Sequence, residues 1–298
     1  MTGGAMGRPS PKRRVRYILV NIAPAAMGRE NEPMSSTYTA NDAAAYERLM
    51  GRWSRLLAEP FIAFAGIAAG DRVLDLGCGT GSLALALAAR REPSHILGLD
   101  ISETYVAQAQ ARARDPRLAF RVGDAASIDL PDGSVDRAYS LLALNFVRQP
   151  VRAIGEMRRV TRAGGVIAAA VWDFAGGLAY QRLFWDTAAA LDPAADKARA
   201  RHYAAALTWP GELEAAFAAA GAREVVAQSL TLRMVYADFA DYWDPIANAQ
   251  GPVGDYVKQL APHALAALAG AVERAFLAGR ADGPRSMTAT AWAAKARV

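Results

Sequence analysis

Short apolar runs alternate with segments of helical spacing through the first part of the chain. A helix is predicted over residues 43–62, where Tyr46, Met50 and Trp53 lie on one side. Five strands are predicted at Arg72–Leu76, His95–Asp100, Leu118–Val122, Val135–Leu142 and Val166–Trp172. Helices are predicted between them over residues 82–89, 103–114 and 151–161. This alternation favours an α/β fold, with a parallel sheet covered by helices on both faces.

The pattern changes after Trp172. Residues 174–206 and 238–280 have helical spacing and are predicted as two helical insertions. A helix over 210–220 and a strand over 224–236 are predicted between them, and 287–296 is predicted as the last strand. We therefore expect a single domain over residues 34–298.

Composition indicates a folded protein. Hydrophobic residues make up 53% of the 298 positions and charged residues 21%, so a sizeable core is available. The only cysteine is Cys78, which excludes a disulfide within the chain and a cysteine-based zinc site. We expect no metal site, no membrane span and a reducing, cytoplasmic location.

The formal net charge of +5 is concentrated at the beginning of the chain. Residues 1–33 hold six basic and two acidic side chains, and so carry +4 of it. The nearly neutral remainder lacks the charge bias of a nucleic-acid-binding domain. We expect residues 1–33 to be a disordered basic extension rather than a signal peptide. The true translation start is Met1, Met27 or Met34, and the oligomeric state stays open.

Three glycines follow the first predicted strand, at Gly77, Gly79 and Gly81. A nicotinamide-binding loop of the form G-x-G-x-x-G would need its third glycine at position 82, which is Ser82. The acidic Asp75 just before the turn disfavours a pyrophosphate and suits a ligand with an ammonium group. No Gly-Lys-Ser/Thr sequence of a phosphate-binding loop is present.

Carboxylates also follow the next two predicted strands. Asp100 ends the second strand, where an acid can bind both hydroxyls of a ribose. Asp124 and Ala125 follow the third, where a carboxylate can accept a hydrogen bond from an adenine amine. Each acid alone is compatible with a surface turn. Together they mark the carboxyl ends of successive strands, where open α/β sheets bind ligands.

Four segments carry a resemblance to a known family: VLDLGCGTG at 73–81, LGLDIS at 97–102, GDAASIDLPDGSVD at 123–136 and EMRRVTRAGG at 156–165. They resemble the class I S-adenosylmethionine (SAM)-dependent methyltransferases, in particular the branch similar to the ubiquinone/menaquinone-biosynthesis enzymes. The resemblance implies a Rossmann-like sheet of seven strands, mostly parallel with an antiparallel last strand. It also implies SAM as cofactor and S-adenosylhomocysteine (SAH) as product. Ala163 departs from the family, which usually has proline there.

The same resemblance assigns cofactor-binding roles. Asp75 and Gly77 would lie near the methionine part, Asp100 at the ribose, and Asp124 with Ala125 at the adenine. The full set of expected cofactor-binding residues is Asp75, Gly77, Cys78, Gly79, Gly81, Asp100, Ile101, Asp124 and Ala125. We do not expect Cys78 to be a catalytic thiol.

The acceptor side is less well determined by the sequence. The catalytic candidates are His202 and Asn145, whereas His95 is expected to be structural and His263 to lie on the surface of a helix. Substrate-pocket candidates are Tyr46, Trp53, Asn145 and Trp172. The sequence around Asn145 is Leu-Asn-Phe-Val, not the Asn/Asp-Pro-Pro-Tyr of amino-group methyltransferases, which favours oxygen or carbon over nitrogen as the accepting atom.

We therefore expect methyl transfer from SAM to a small apolar or aromatic acceptor by in-line displacement. The N-terminal helix and the segment after Trp172 should form a lid that excludes water. One alternative is a non-enzymatic SAM-binding or regulatory protein. A nicotinamide-dependent oxidoreductase is a second alternative, disfavoured by Ser82 and by the absence of a Tyr-x-x-x-Lys sequence.

Overall fold

One sheet lies at the centre of the structure, a computed structural model that describes residues 42–249 and 251–298. Its seven strands in the described residues are β1 Arg72–Leu76, β2 His95–Asp100, β3 Leu118–Val122, β4 Val135–Leu141, β5 Thr161–Trp172, β6 Arg223–Tyr236 and β7 Arg285–Arg297. Their order is β3-β2-β1-β4-β5-β7-β6, and β7 runs antiparallel to both neighbours. This confirms the predicted sheet. The expectation for residues 1–33 lies outside the described residues.

The helices, in chain order, are α1 Ala43–Tyr46, α2 Arg52–Ala65, α3 Ser82–Ala88, α4 Glu103–Arg112, α5 Pro150–Val160, α6 Ala179–Leu191, α7 Pro193–Tyr203, α8 Glu212–Ala219, α9 Phe239–Ala247, α10 Gly251–Val257 and α11 Pro262–Leu277. A π-helical turn, Glu47–Gly51, joins α1 to α2. A short 3-10 turn, Leu144–Phe146, follows β4. The single helix predicted over residues 43–62 therefore contains a widened turn and continues to Ala65.

Side chains alternate between two cores across the central strands, because successive strand residues point to opposite faces. Val73 of β1 packs in one core with Leu57 of α2, and Leu74 packs in the other with Ile154 and Met157 of α5. All five are almost fully buried. Helices therefore cover both faces of the sheet, as the continuous apolar strands predict.

The strand β5 begins five residues earlier than the expected Val166. Thr161 pairs with Val135 of β4, and the ladder then shifts register before Val166 pairs with Arg137. Gly165 allows this shift, since a Cβ atom there would lie 2.6 Å from the carbonyl oxygen of Asp136. Gly164 and Gly165 therefore lie in an irregularity inside a longer strand, and not in a turn before it.

The segment after β5 supplies the helices α6 and α7, and α9 to α11 follow β6. These helices share the core of α2: Phe184 and Tyr242 are almost completely buried there. The Tyr242 hydroxyl donates a hydrogen bond to the backbone oxygen of Tyr180 at 2.8 Å, which ties α9 to α6. No helix within residues 42–249 or 251–298 is both long and apolar enough to cross a membrane.

Candidate functional site

The glycine loop between β1 and α3 has a backbone that only glycine adopts easily. Gly77 has φ of 71° and Gly81 of 90°, both in the left-handed region. A Cβ atom on Gly77 would lie 2.3 Å from the Cβ of Ala143, so the loop touches the segment after β4. The backbone N–H groups of Gly77 and Cys78 both donate to the carbonyl oxygen of Leu99, at 2.7 and 2.9 Å. The loop is therefore fixed against the carboxyl end of β2.

Asp100, at the end of β2, lies beside this loop. Its carboxylate accepts hydrogen bonds from the backbone N–H groups of Gly79 and Ser102, at 2.8 and 2.9 Å. Burial raises the pKa of Asp100 above its ordinary value. A carboxylate has about four acceptor positions, so further donors can bind. The neighbouring Ile101 is 73% exposed, an unusual degree for an isoleucine.

Asp124 and Ala125 follow β3 at the same edge of the sheet. Asp124 is exposed, and its carboxylate accepts from the backbone N–H of Ala126 at 2.8 Å. It also forms an isolated bridge with Ser127. Ala125 is half-buried and packs against the core of α5. The turn therefore presents one carboxylate on a fixed backbone.

Asp75 carries an orphaned carboxylate oxygen. One oxygen accepts from the backbone N–H of Ala84 at 3.1 Å, and the other has no hydrogen-bond partner among the described residues. Asp75 is 1% exposed, and burial raises its pKa to about 7. A buried, half-paired carboxylate fits a cationic ligand group, because an ammonium would satisfy the free oxygen and favour its charge.

Asn145 lies in the 3-10 turn after β4, close in sequence to Ala143, which the glycine loop contacts at Gly77. It is 8% exposed, and neither its amide nitrogen nor its oxygen has a partner among residues 42–249 and 251–298. The hydroxyl of Ser140 in β4 is also unpartnered there. Buried polar groups in folded proteins are almost always paired. Asn145, Ser140 and Asp75 therefore hold buried polar atoms without partners among the described residues, and a bound polar cofactor would supply those partners.

Glu47 connects the N-terminal helix to the glycine loop. Its carboxylate accepts hydrogen bonds from Thr80 in the loop, from Arg112 of α4 at 2.9 Å, and from Arg55 of α2. Arg112 also donates to the backbone oxygen of Thr80 at 3.0 Å. These cations and hydrogen bonds hold the pKa of Glu47 below its ordinary value despite burial. We call Glu47, Thr80 and Arg112 the loop latch.

Sequence reasoning missed Glu47, because an acidic residue on an amphipathic helix ordinarily faces solvent. Gly51 was the available signal. A Cβ atom at Gly51 would lie 2.4 Å from a carboxylate oxygen of Glu47, so the glycine makes room for that side chain. The π-helical turn that contains both residues is of a rare kind, frequent at functional sites.

The substrate-pocket candidates do not all lie together. The Tyr46 ring lies 5.4 Å from that of Tyr105 on α4, near the glycine loop. Trp53 is buried instead against Tyr236 of β6, with ring centroids 5.4 Å apart, and so anchors α2. Trp172 is buried at the end of β5. The geometry brings Tyr46 toward the site and directs Trp53 away from it.

His202 lies in α7 and is buried. Its ring stacks on Phe174, with centroids 4.4 Å apart, and its Nε2 atom is 2.6 Å from the side-chain oxygen of Gln181. Burial lowers the pKa of His202 to about 4, so the ring is neutral at pH 7. Gln181 was not singled out from the sequence, and its side-chain nitrogen donates to the Tyr180 hydroxyl at 3.0 Å. His95 is exposed at the beginning of β2, away from the carboxyl ends of the strands.

Cys78 has the surroundings of a structural thiol. It is 6% exposed, and burial among neighbouring carboxylates raises its pKa well above the ordinary value. The thiolate that a nucleophile requires is therefore suppressed. Within the described residues, no group of His, Cys, Asp and Glu side chains has the arrangement of a metal site.

Comparisons with known proteins identify a methyltransferase domain that extends from β1 into β5. Residues 74–169 match a family profile described as a methyltransferase domain. The chain is 37% identical over 128 residues to malonyl-(acyl-carrier protein) O-methyltransferase of Pectobacterium atrosepticum, covering 42% of this chain and 48% of that protein. It is 38% identical over 105 residues to demethylmenaquinone methyltransferase of Beutenbergia cavernae, covering 35% and 42% respectively. The chain thus spans less than half the length of these curated relatives.

A solved structure shows the same fold. Phosphoethanolamine N-methyltransferase 2 of Haemonchus contortus, in complex with phosphomonomethylethanolamine and SAH, superposes with a TM-score of 0.54 at 15% identity. The superposition covers 88% of this chain and 58% of that one. The matched residues 74–169 extend from β1 into β5. They therefore contain the glycine loop, Asp100, Asp124 and Asn145.

Proposed function

Because the chain carries a class I SAM-dependent methyltransferase domain, we propose that it transfers a methyl group from SAM to a small, largely apolar acceptor. The observation that carries the proposal is the orphaned, buried carboxylate of Asp75 beside a glycine loop fixed at the strand ends. The family profile and the serine at position 82 both argue against a nicotinamide cofactor.

Different residues of the site would bind different parts of SAM. Asp75 would pair with the ammonium of the methionine part, and Asp100 would accept from the ribose hydroxyls. Ile101, Asp124 and Ala125 would hold the adenine at the ends of β2 and β3. When bound, SAM supplies an electrophilic methyl group on a sulfonium.

The protein orients the reactants and excludes water from the site, and it supplies no general base for proton transfer. His202 is neutral and its Nε2 atom is already hydrogen-bonded, which makes it a poor general base. Asn145 lies in the turn after β4 and has no side-chain partner within the part of the chain that the structure describes, and it would orient the cofactor or the acceptor. The helical segment from Ala43 to Ala65 contacts the glycine loop through the loop latch, and in this proposal it excludes water from the site. An acceptor atom that is nucleophilic without a protein base fits this arrangement.

We further propose oxygen or carbon as the accepting atom. The sequence Leu-Asn-Phe-Val around Asn145 supports this. One relative is named as an O-methyltransferase, which is consistent with oxygen, whereas the solved structure of similar fold is named as an N-methyltransferase. The near-neutral charge of residues 34–298 supports a small molecule over nucleic acid as substrate. The buried thiol of Cys78 is compatible with a reducing, cytoplasmic location.

Isotope transfer tests the proposal. The protein is incubated with SAM carrying a trideuterated methyl group and with a fractionated cell extract, and mass spectrometry locates the label. The proposal expects the label in a small molecule and none in heat-killed controls. Label in nucleic acid would contradict the proposed acceptor class. SAM binding with no label in any fraction would support a non-enzymatic SAM-binding protein instead.

A further inference from the structure

An open groove lies between α2 and β6, the strand at one edge of the sheet, and its volume is about 480 Å³. The residues that these two elements contribute to its lining are Pro60, Ala63, Phe64, Val226, Gln228 and Leu230. Five of these six side chains are apolar. A volume of this size is typical of sites for small molecules. The groove therefore has room for a small molecule with an apolar part.

The two long walls of the groove have the same direction. Trp53, at the beginning of α2, packs on Tyr236, at the end of β6. Phe64, at the other end of α2, lies at the level of Val226. Leu56 lies one helical turn before Pro60, on the same side of α2, and is 52% exposed. The apolar surface thus extends along the helix and fits an elongated occupant.

Lys295 of β7 places a cation in this groove. Its Nζ atom donates a hydrogen bond to the backbone oxygen of Phe64 at 2.6 Å and lies 4.9 Å from the centroid of the Phe64 ring. Lys295 is half-buried, and it forms no ion pair within the part of the chain that the structure describes. A lysine ammonium has three donor hydrogens, so donors remain for a ligand. Because a buried charge is costly without a partner, an anionic group fits beside it.

Two arginines extend the positive charge beyond Lys295. Arg297 lies two residues further along β7, so its side chain is on the same face of the sheet as that of Lys295. Arg223 of β6 pairs directly with Arg297, and like charges in this arrangement destabilise a sheet. Neither arginine forms an ion pair with a residue described by the structure, and neither does the adjacent Glu224. An anion at this end of the groove would reduce the repulsion.

The groove is separate from the candidate cofactor site. Lys295 pairs with Ala168 of β5, whereas the carboxyl end of β5 is Trp172, which pairs with Ala291. Four residues along a strand correspond to about 13 Å. Lys295 therefore lies well back from the strand ends where the glycine loop and Asp100 are found.

We propose that this groove binds an anionic amphiphile, a molecule with an elongated apolar part and a terminal carboxylate. The carboxylate pairs with Lys295, at the end of the groove nearest Arg223 and Arg297. The apolar part lies along α2, between Pro60 and Val226. This inference does not depend on the proposed methyl transfer, because none of these residues belongs to the candidate cofactor site.

The test uses three probes with the same eight-carbon chain: octanoate, uncharged 1-octanol and the octyltrimethylammonium cation. Each is titrated as a monomer into the full-length protein, and binding is followed by ligand-observed NMR. We expect octanoate to bind at one site per chain and more tightly than 1-octanol, and the cation not to bind. K295M should weaken octanoate about threefold to tenfold, since the ion pair is partly exposed to solvent, and leave 1-octanol unchanged.

V226E is a second variant, in case K295M does not fold. Val226 is 53% exposed and pairs directly with Lys295, so a glutamate there is tolerated and supplies the lysine with a carboxylate. It should weaken octanoate at least as much as K295M does. The matched control is R233M, which removes a cation from the opposite face of β6, outside the groove. R233M should leave all three probes unchanged, and urea unfolding is measured on every variant.

Four results would overturn the inference. The first is a wild type that does not bind octanoate or binds it no better than 1-octanol, and the second is an equal loss in K295M and R233M. The third is binding to phosphatidylglycerol vesicles without binding of monomeric octanoate, which would assign the groove to a membrane surface. The fourth is a dimer in sedimentation that V226E dissociates, which would show that a second copy of the chain covers the groove.

Discussion

The loop latch makes a quantitative prediction about Glu47. The substitution E47Q keeps the size of the side chain and removes its charge. The carboxylate holds the loop through Thr80 and through Arg112 at 2.9 Å, and each charge-assisted hydrogen bond contributes about 1.5–3 kcal/mol when well buried. The Glu47 and Arg112 side chains are 20% and 26% exposed, so solvent screening reduces this value. We expect E47Q to lower the free energy of unfolding by about 1–2 kcal/mol.

SAH affinity should fall as well, because the glycine loop would lose part of its fixed geometry. A penalty of about 1 kcal/mol corresponds to roughly a fivefold weaker Kd. Urea unfolding gives the stability, calorimetric titration gives the affinity, and hydrogen exchange of residues 77–82 reports the loop itself. G51A should reproduce all three effects, because its new Cβ atom would displace the Glu47 carboxylate.

Two matched controls separate the latch from general effects on helices. E59Q removes a carboxylate from α2 whose ion pair with Arg90 is on the surface, with the Glu59 side chain 59% exposed. G155A adds a methyl group in α5 where no atom lies within 4 Å. E59Q should change the stability by less than about 0.5 kcal/mol, and G155A should be neutral or stabilising. The latch is refuted if E47Q leaves SAH affinity and loop exchange at their wild-type values.

Three further predictions concern charge and motion. Burial raises the pKa of Asp75 to about 7, and a bound ammonium favours the ionised form, so SAM binding should release a proton and tighten between about pH 6 and pH 8; titrations in buffers of different ionisation enthalpy measure that proton. The pKa of His202 is lowered to about 4 from 6.5, so the unfolded chain binds more protons in this window and stability should fall by up to roughly 3 kcal/mol as the pH drops through it; urea unfolding of H202F should show a shallower fall. SAH should increase hydrogen-exchange protection in residues 43–55 and 174–206 as well as in the glycine loop, whereas a response of the loop alone would show that the flanks are only structural packing.

The central strands could be predicted from the sequence because they are buried on both faces. The bounds of β1, β2 and β3 agree with the predicted runs. The early beginning of β5 could not be predicted, since it depends on Thr161 pairing with Val135 across the sheet. The periodicity of hydrophobic residues and the composition indicate which residues are buried, but they carry no information on the register between distant strands.

The candidate site also contains residues that could be predicted from the sequence and residues that could not. Asp75, Asp100 and the glycines belong to contiguous motifs, so their positions at strand ends follow from local sequence alone. Sequence analysis missed Glu47 and Gln181, because each is a polar residue on an amphipathic helix, and only Glu47 had a signal in the neighbouring Gly51. Their roles depend on tertiary partners far along the chain, Thr80 and His202 respectively.

The most direct test of the central claim is calorimetric titration of SAH into the wild type and into D100A. We predict one site per chain, and a Kd about 10- to 150-fold weaker in D100A, because a charge-assisted bond to the ribose hydroxyls contributes about 1.5–3 kcal/mol. D129A, which removes an exposed carboxylate, should bind SAH as the wild type does. A wild type that does not bind SAH, or a folded D100A that binds it with unchanged affinity, would contradict the account.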